Sequence, residues 1–125
     1  LESARVIVDK SENGSLYAEA ILRIKVRDQV EHTAAEGHGP VDALDKALRK
    51  ALLPFYPDLG KVKLADYKVR VLNSDQATAA SVRVFIESTD GTTSWGTVGV
   101  SENIIEASWQ ALADGIDYYL LRNQP

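Results

Sequence analysis

Two stretches of the chain decide its fold: GHGPVDALDKALRKALL at residues 37–53 and GVSENIIEASWQALADGIDYYLL at residues 99–121. When Asp42 is set against Glu106, Val41 falls opposite Ile105 and Ala47-Leu48 falls opposite Ala111-Leu112. Each stretch opens with turn residues, continues as an apolar stripe at helical spacing, and follows a strand-rich segment. The sequence therefore predicts two similar units related by a pseudo-twofold axis, and the cleft between such units is a natural place for a small ligand or a partner subunit.

Period-two alternation predicts three strands before the first helix. Residues 16–26 carry apolar side chains at the even positions and mostly polar ones at the odd positions, which is typical of a strand with one buried face. Residues 4–9 are rich in β-branched side chains and predict a strand before it. A turn at Asp28-Gln29 leads into the third strand, through residues 30–34. Each strand is thus expected to neighbour the next in an antiparallel sheet.

The second half repeats this plan. Alternation predicts strands at 65–71, 82–87 and 93–100, with a hairpin turn at Asp90-Gly91. We expect the first helix to start at Pro40, because proline fits the first helical position. Asn103 is expected to cap the second helix, with Glu106 three residues on in a capping box. The expected buried stripes are Val41, Leu44, Leu48 and Leu52 in the first helix, and Ile105, Trp109, Leu112, Ile116 and Leu120 in the second.

The order βββα, written twice, predicts an α+β fold of antiparallel sheets covered by helices. At 125 residues the chain is long enough for one ordinary domain. We expect that domain to consist of half-units 1–53 and 61–125, joined by a linker at 54–60 that contains two prolines and one glycine.

Composition excludes several classes of function. A net charge of −4 gives no global electrostatic reason to bind nucleic acid or an anionic membrane, and the absence of cysteine excludes thiolate chemistry. The absence of cysteine fits a cytoplasmic protein, which is the location we expect. No apolar run is long enough to span a bilayer. No cofactor fingerprint occurs and we expect no cofactor in this chain. His32 and His38 have no metal-ligand companions and are interpreted as surface or hydrogen-bonded residues.

One basic row leaves an alternative open. Arg23, Lys25 and Arg27 lie on one face of the second predicted strand. We interpret this row as a solvated strand face, and RNA or an acidic protein is the weaker alternative.

Three segments together carry a family resemblance: residues 37–43, 64–71 and 95–111. In them the chain resembles the C-terminal regulatory domain of the α-isopropylmalate synthase and citramalate synthase family, and the last segment is more similar to the citramalate branch. The resemblance implies a homodimer of two βββα units per chain that binds an end-product amino acid. It also implies a parent acyltransferase whose metal-dependent barrel, which condenses acetyl-CoA with a 2-oxo acid, lies outside this chain.

The resemblance also implies the effector. In the citramalate branch the 2-oxo acid is pyruvate and the feedback inhibitor is isoleucine, and in the other branch they are 2-oxoisovalerate and leucine. A free amino acid needs N–H donors for its carboxylate, an acceptor for its ammonium and an apolar pocket. Unpaired N–H groups after Gly37 and Gly39 suit the carboxylate, Asp42 suits the ammonium, and the remaining residues that the resemblance implies are Val41, Leu64, Tyr67, Val71, Ala79, Val100 and Asn103.

Two alternatives stay open. Glycines before a helix are usually turn residues, and Asp42 has a plain role in complementing the helix dipole. The same fold without ligand affinity would be a purely structural dimerisation domain.

Overall fold

The computed structural model describes residues 3–10, 16–72 and 81–122, and it divides the chain into two compact units, residues 1–60 and residues 61–125. Each unit is a three-stranded antiparallel sheet followed by a helix, so the predicted α+β fold with two βββα units is confirmed. The elements are β1 Ser3–Lys10, β2 Leu16–Val26, β3 Gln29–Gly37, α1 Pro40–Leu52, a 3₁₀ helix Pro57–Lys61, β4 Lys63–Leu72, β5 Ser81–Thr89, β6 Ser94–Ser101 and α2 Ile104–Arg122.

In the first unit β2 lies between β1 and β3, and α1 packs on β2 and β3. The even positions of β2, from Ala18 to Val26, are buried as the alternation predicted. The turn into β3 comes one residue earlier than expected, at Arg27 and Asp28, which have φ values of 47° and 67°. Two left-handed residues make the tight turn whose twist matches that of paired strands. The Arg27 guanidinium lies 4.8 Å from the centre of the Tyr56 ring.

In the second unit β5 lies between β4 and β6, and α2 packs on β5 and β6. The turn predicted at Asp90-Gly91 joins β5 to β6. The Asp90 carboxylate accepts hydrogen bonds from the backbone N–H groups of Thr92 (3.0 Å) and Thr93 (2.8 Å). Gly91 has a φ of 97°, which only glycine adopts easily. These backbone hydrogen bonds hold the pKa of Asp90 below its usual range.

The stripe predicted for α1 is buried, whereas the one predicted for α2 is rotated. In α2, Leu112 and Ile116 are buried, but Ile105, Trp109 and Leu120 are only half-buried. The line of residues that packs on the sheet is made of small residues: Ala107, Ala111 and Gly115. The reason is close approach, because a Cβ added to Gly99 in β6 would collide with the Ala107 carbonyl oxygen. Large side chains do not fit between backbones this close.

Each unit contains an equivalent hydrogen bond from its third strand to its helix, and the two bonds lie at positions that match in the sequence alignment. The Thr33 hydroxyl donates to the Ala47 carbonyl (2.8 Å), and the Thr97 hydroxyl donates to the Ala111 carbonyl (2.6 Å). In both units the third strand is therefore tied to the same turn of its helix. Part of the repeat is thus carried by polar contacts that an apolar pattern does not reveal.

No helix among the described ranges is long and apolar enough to cross a membrane. The cytoplasmic location stays a prediction.

Candidate effector site

The α2 side of β4 carries a line of apolar side chains that the fold leaves open. Tyr67, Val69 and Val71 pair with Ile86, Val84 and Val82 of β5, so they lie on the same face of the sheet as the buried residues of β5. Because α2 packs on β5 and β6, the β4 side chains remain 39%, 43% and 62% exposed, respectively. We call Leu64, Tyr67, Val69 and Val71 the β4 strip.

A β-bulge brings Leu64 into this strip. Strict alternation places Leu64 and Tyr67, three residues apart, on opposite faces of a strand. The register shifts between Leu64 and Asp66, however, so that Leu64 pairs with Ser88 while Tyr67 pairs with Ile86, and both lie on the α2 side. Ala65, which the alternation had grouped with Tyr67, is the extra residue. Leu64, Tyr67 and Val71, predicted together, are therefore brought together.

Two other predicted residues are not brought to the strip. Val100 pairs with Arg83, on the face of the sheet away from α2, and its side chain is 46% exposed there. Its backbone N–H donates to the Gln110 side chain (3.1 Å). Ala79 falls in the segment 73–80, outside the described residues.

Asn103 caps α2, as predicted, but the capping box runs through a third residue. The Asn103 side-chain oxygen accepts from the N–H of Ile105 (2.8 Å) and, more weakly, of Glu106 (3.4 Å). The Ser101 hydroxyl donates to the Glu106 carboxylate (3.0 Å) and accepts from the Asn103 N–H (3.2 Å). The amide of Asn103 thus has a structural role in holding the start of α2.

The four residues predicted at the start of α1 are Gly37, Gly39, Val41 and Asp42, which lie within six consecutive residues. Gly39 is the N-cap residue and makes no side-chain cap, and Pro40 follows it. Asp42 accepts from the His38 backbone N–H (3.0 Å) and pairs with Lys46 (3.2 Å). A Cβ on Gly37 would lie 2.6 Å from both the Ala43 nitrogen and the Asp42 carboxylate, so this glycine is required by close packing. The side chain of the fourth residue, Val41, is buried.

The electrostatics of α1 are dominated by a buried ion pair. Both carboxylate oxygens of Asp45 lie 3.0 Å from the Arg49 Nε, and Arg49 also donates to the Leu59 carbonyl (3.4 Å). Burial raises the pKa of Asp45 above its usual range, although the Arg49 guanidinium acts in the opposite direction. The pair fastens the 3₁₀ helix to α1 and has a structural role.

Sequence reasoning missed two features of the second unit. Val69 belongs to the β4 strip, and the alternation that gave Tyr67 and Val71 already contained it. The Ser108 hydroxyl in α2 is fully buried and has no hydrogen-bond partner within the described part of the chain. Such a group usually has a partner, since leaving it without one costs about 1–3 kcal/mol. No spacing pattern distinguishes it from an ordinary helical serine.

The first unit has the same kind of strip. Val6 and Val8 of β1 pair with Ala20 and Ala18, on the α1 side of the sheet, and Val8 is 59% exposed. Each unit thus leaves the helix side of its first strand incompletely covered.

The two histidines and the basic row are the residues on which a metal site or a nucleic-acid site would depend. Both histidines are exposed, and no group of three or more histidine or carboxylate side chains that could hold a metal ion occurs in the described ranges. In the basic row, Lys25 of β2 lies 3.9 Å from Asp28, while Arg27, which falls in the turn after β2, lies over Tyr56. Two of the three cations thus have partners within the first unit, which supports the interpretation of a solvated strand face.

Comparison with known proteins shows the family to which this sequence is similar. Residues 1–120 match the family described as the LeuA allosteric (dimerisation) domain. The chain is 58% identical over 121 residues to the (R)-citramalate synthase of Geobacter sulfurreducens, covering 96% of this chain and 23% of that protein. It is 54% identical over 124 residues to the (R)-citramalate synthase of Aquifex aeolicus, covering 98% of this chain and 24% of that protein.

A relative from the other branch is more distant. The 2-isopropylmalate synthase of Aquifex aeolicus is 30% identical over 124 residues, which covers 98% of this chain and 22% of that protein. The chain therefore spans about a quarter of the length of the curated relatives that it matches. The family resemblance read from the three sequence segments is confirmed, and the chain belongs to the LeuA allosteric (dimerisation) domain family.

Proposed function

We propose that this chain is the feedback-regulatory and dimerisation module of a citramalate-synthase-like acyltransferase and that it binds isoleucine. The observation that carries the proposal is the β4 strip: Leu64, Tyr67, Val69 and Val71 lie side by side, beside α2, on a face that the described part of the unit leaves open. An aliphatic side chain lying on this strip would bury apolar surface on both sides, which is the main source of affinity for such a ligand.

The choice of branch rests on similarity. Within one organism, Aquifex aeolicus, the chain is 54% identical to the citramalate synthase and 30% identical to the 2-isopropylmalate synthase. This difference favours pyruvate as the 2-oxo acid of the parent enzyme and isoleucine as the effector. The alternatives are a leucine-binding domain of an isopropylmalate synthase and a structural module without ligand.

Gly37, Gly39 and Asp42, which the sequence predicts for the polar ends of the effector, all lie in the first unit, and their role stays a prediction. The first turn of α1 has no side-chain cap, so its N–H groups suit a carboxylate, and this supports the predicted role of Gly37 and Gly39. The start of α2 is less suited, because Asn103 already caps it. Asp42 retains acceptor capacity beside Lys46 and stays our candidate for the ammonium.

Thermal unfolding with each branched-chain amino acid tests the ligand. A ligand that binds only the folded chain adds about 2.7 kcal/mol of stability at a hundred times its Kd. We expect L-isoleucine to raise the melting temperature most, with leucine and valine weaker, and D-isoleucine at equal concentration to serve as the control. Equal melting temperatures in all four amino acids would favour the structural module.

The dimer is supported by apolar surface that a single chain exposes. On α2, the apolar side chains of Ile104, Tyr118 and Leu121 are 37%, 45% and 69% exposed. A second copy would cover such surface, since exposed apolar patches commonly mark interfaces. Sedimentation at micromolar concentration should give a homodimer, and a monomer whose stability does not change on dilution would contradict this.

A further inference from the structure

The face of the second sheet that points away from α2 carries a cluster of three cations. Lys68, Arg70 and Arg83 line a cavity of about 140 Å³, together with Phe85. Lys68 pairs with Phe85 and Arg70 pairs with Arg83 across β4 and β5, so all four share one face. We call these residues the β4–β5 cation cluster. The β4 strip lies on the opposite face, so the cluster is a separate feature.

The repeat does not require this cluster. In the first unit, Ile7 pairs with Glu19 where Arg70 pairs with Arg83, and Arg5 pairs with Ile21 where Lys68 pairs with Phe85. The same fold is therefore built there with one cation, one carboxylate and two isoleucines. Two arginines directly opposite each other on paired strands repel and lower the stability of the sheet. A feature that costs stability and is absent from the other half calls for another explanation.

The carboxylates of the described ranges do not neutralise the cluster. Asp66 and Glu87 pair with each other one step along the same strands. Neither forms an ion pair with Lys68, Arg70 or Arg83, whereas Lys25, Lys46 and Arg49 each have a carboxylate within 3.9 Å. One of the Asp66 oxygens instead accepts the Tyr67 N–H (2.9 Å). In a chain with 18 acidic residues, three cations together without such a partner form a distinct positive patch.

Phe85 gives the patch an apolar wall. A Cβ on Gly96 would lie 2.8 Å and 2.9 Å from two atoms at the tip of the Phe85 ring, so the ring leans over Gly96 of β6. The part of the same face over β4 and the adjoining end of β5 is left for the three cationic side chains. At about 140 Å³ the cavity has room for a small oxyanion together with water.

We propose that the β4–β5 cation cluster binds the phosphate group of a small molecule. Two guanidinium groups present planar pairs of N–H donors that match phosphate oxygens, and the lysine adds a mobile point charge. Three positive charges suit a dianion better than a single carboxylate, which one arginine satisfies. The apolar ring beside them excludes water from one side of the ion and strengthens its attraction to the cations.

Inorganic phosphate and pyrophosphate, each compared with chloride at equal ionic strength, test this site on the 125-residue chain. We expect saturable amide chemical-shift changes in β4 and β5, and an affinity at least tenfold weaker in Arg83→Gln and in Arg70→Gln. The control is Arg23→Gln, which removes the same charge from the middle strand of the other sheet and should leave the affinity unchanged. Circular dichroism checks that each variant is folded.

Melting temperatures add a second readout. In chloride, Arg83→Gln should melt at or above the temperature of the unsubstituted chain, because it removes the repulsion with Arg70. Phosphate should then stabilise the unsubstituted chain more than this variant. Because phosphate stabilises folded proteins generally, an equal rise in the unsubstituted chain, Arg83→Gln and Arg23→Gln would overturn the proposal. The proposal would also be overturned if a glutamate-rich peptide bound saturably and phosphate did not bind. That result would assign the face to an acidic protein partner.

Discussion

Tyr67 is the residue on which the proposed pocket depends most. Its side chain is 39% exposed and stands in the β4 strip between Leu64 and Val69. An ordinary core tyrosine would be nearly covered, so the exposure of this ring favours a role in contacting something outside the described fold. Truncating an aromatic residue in the core typically costs about 3–5 kcal/mol of folding stability, and the exposure of Tyr67 makes the expected loss smaller.

Replacing Tyr67 with alanine should weaken isoleucine binding by about 2 kcal/mol, or roughly thirtyfold, because a wall of the pocket is lost. The free energy of unfolding should fall by no more than about 1.5 kcal/mol, since the ring is only partly buried. Tyr17→Ala is a matched control: Tyr17 is 37% exposed and lies on the first sheet. A variant that binds isoleucine as tightly as the unsubstituted chain would remove Tyr67 from the site.

Asp45 provides a test of the buried ion pair through pH. Because burial raises the pKa of Asp45 in the folded state, this group favours folding below its unfolded pKa and loses that contribution as pH rises through the folded pKa. Urea unfolding between about pH 3 and pH 7 measures the free energy of unfolding of the unsubstituted chain and of Asp45→Asn. As pH rises, the unsubstituted chain should lose stability relative to the variant. A gain in the stability of the unsubstituted chain relative to the variant as pH rises would mean that the attraction of Arg49 outweighs burial.

At the scale of elements, the sequence predicted what depends on periodicity and on caps. The alternation in β2, the hairpin at Asp90-Gly91 and the Asn103 cap were all readable, because each arises from neighbours along the chain. The rotation of α2 and the bulge beside Leu64 were not, because each depends on how closely two elements approach. The bulge also explains why Leu64 and Tyr67, predicted together as effector-site residues, were grouped by the family resemblance and not by alternation.

Close approach between β6 and α2 gives a prediction at this scale. A Cβ at Gly99 would meet the Ala107 carbonyl oxygen and, at 2.9 Å, the Gln110 Cβ, so Gly99→Ala must push α2 from the sheet. Chemical denaturation should show a loss of about 1–3 kcal/mol, as overpacking usually costs. Gly60→Ala is the control, since its nearest neighbour, a Leu53 methyl, lies 3.9 Å away. Equal stability of the two variants would mean that α2 and β6 are less tightly packed than described.

At the scale of the whole molecule, the chain consists of two units with the same βββα order. In each unit the helix leaves part of the first strand of the sheet exposed. Val8 in the first unit and Val71 in the second are 59% and 62% exposed at corresponding positions. Relatives four times as long contain this region as about a quarter of their length. A repeated module with open apolar strips is suited to binding a ligand or a second subunit, and fold alone does not decide which ligand.

Calorimetric titration of isoleucine and of leucine into the chain tests the central claim most directly. The two ligands have the same atoms, so only the shape of the pocket at the β-carbon separates them, and one branch point is typically worth about 1–3 kcal/mol. We predict saturable binding of both, with isoleucine tighter by roughly ten- to hundredfold. Tighter binding of leucine would contradict the choice of branch, and the absence of saturable heat with either amino acid would contradict the regulatory role itself.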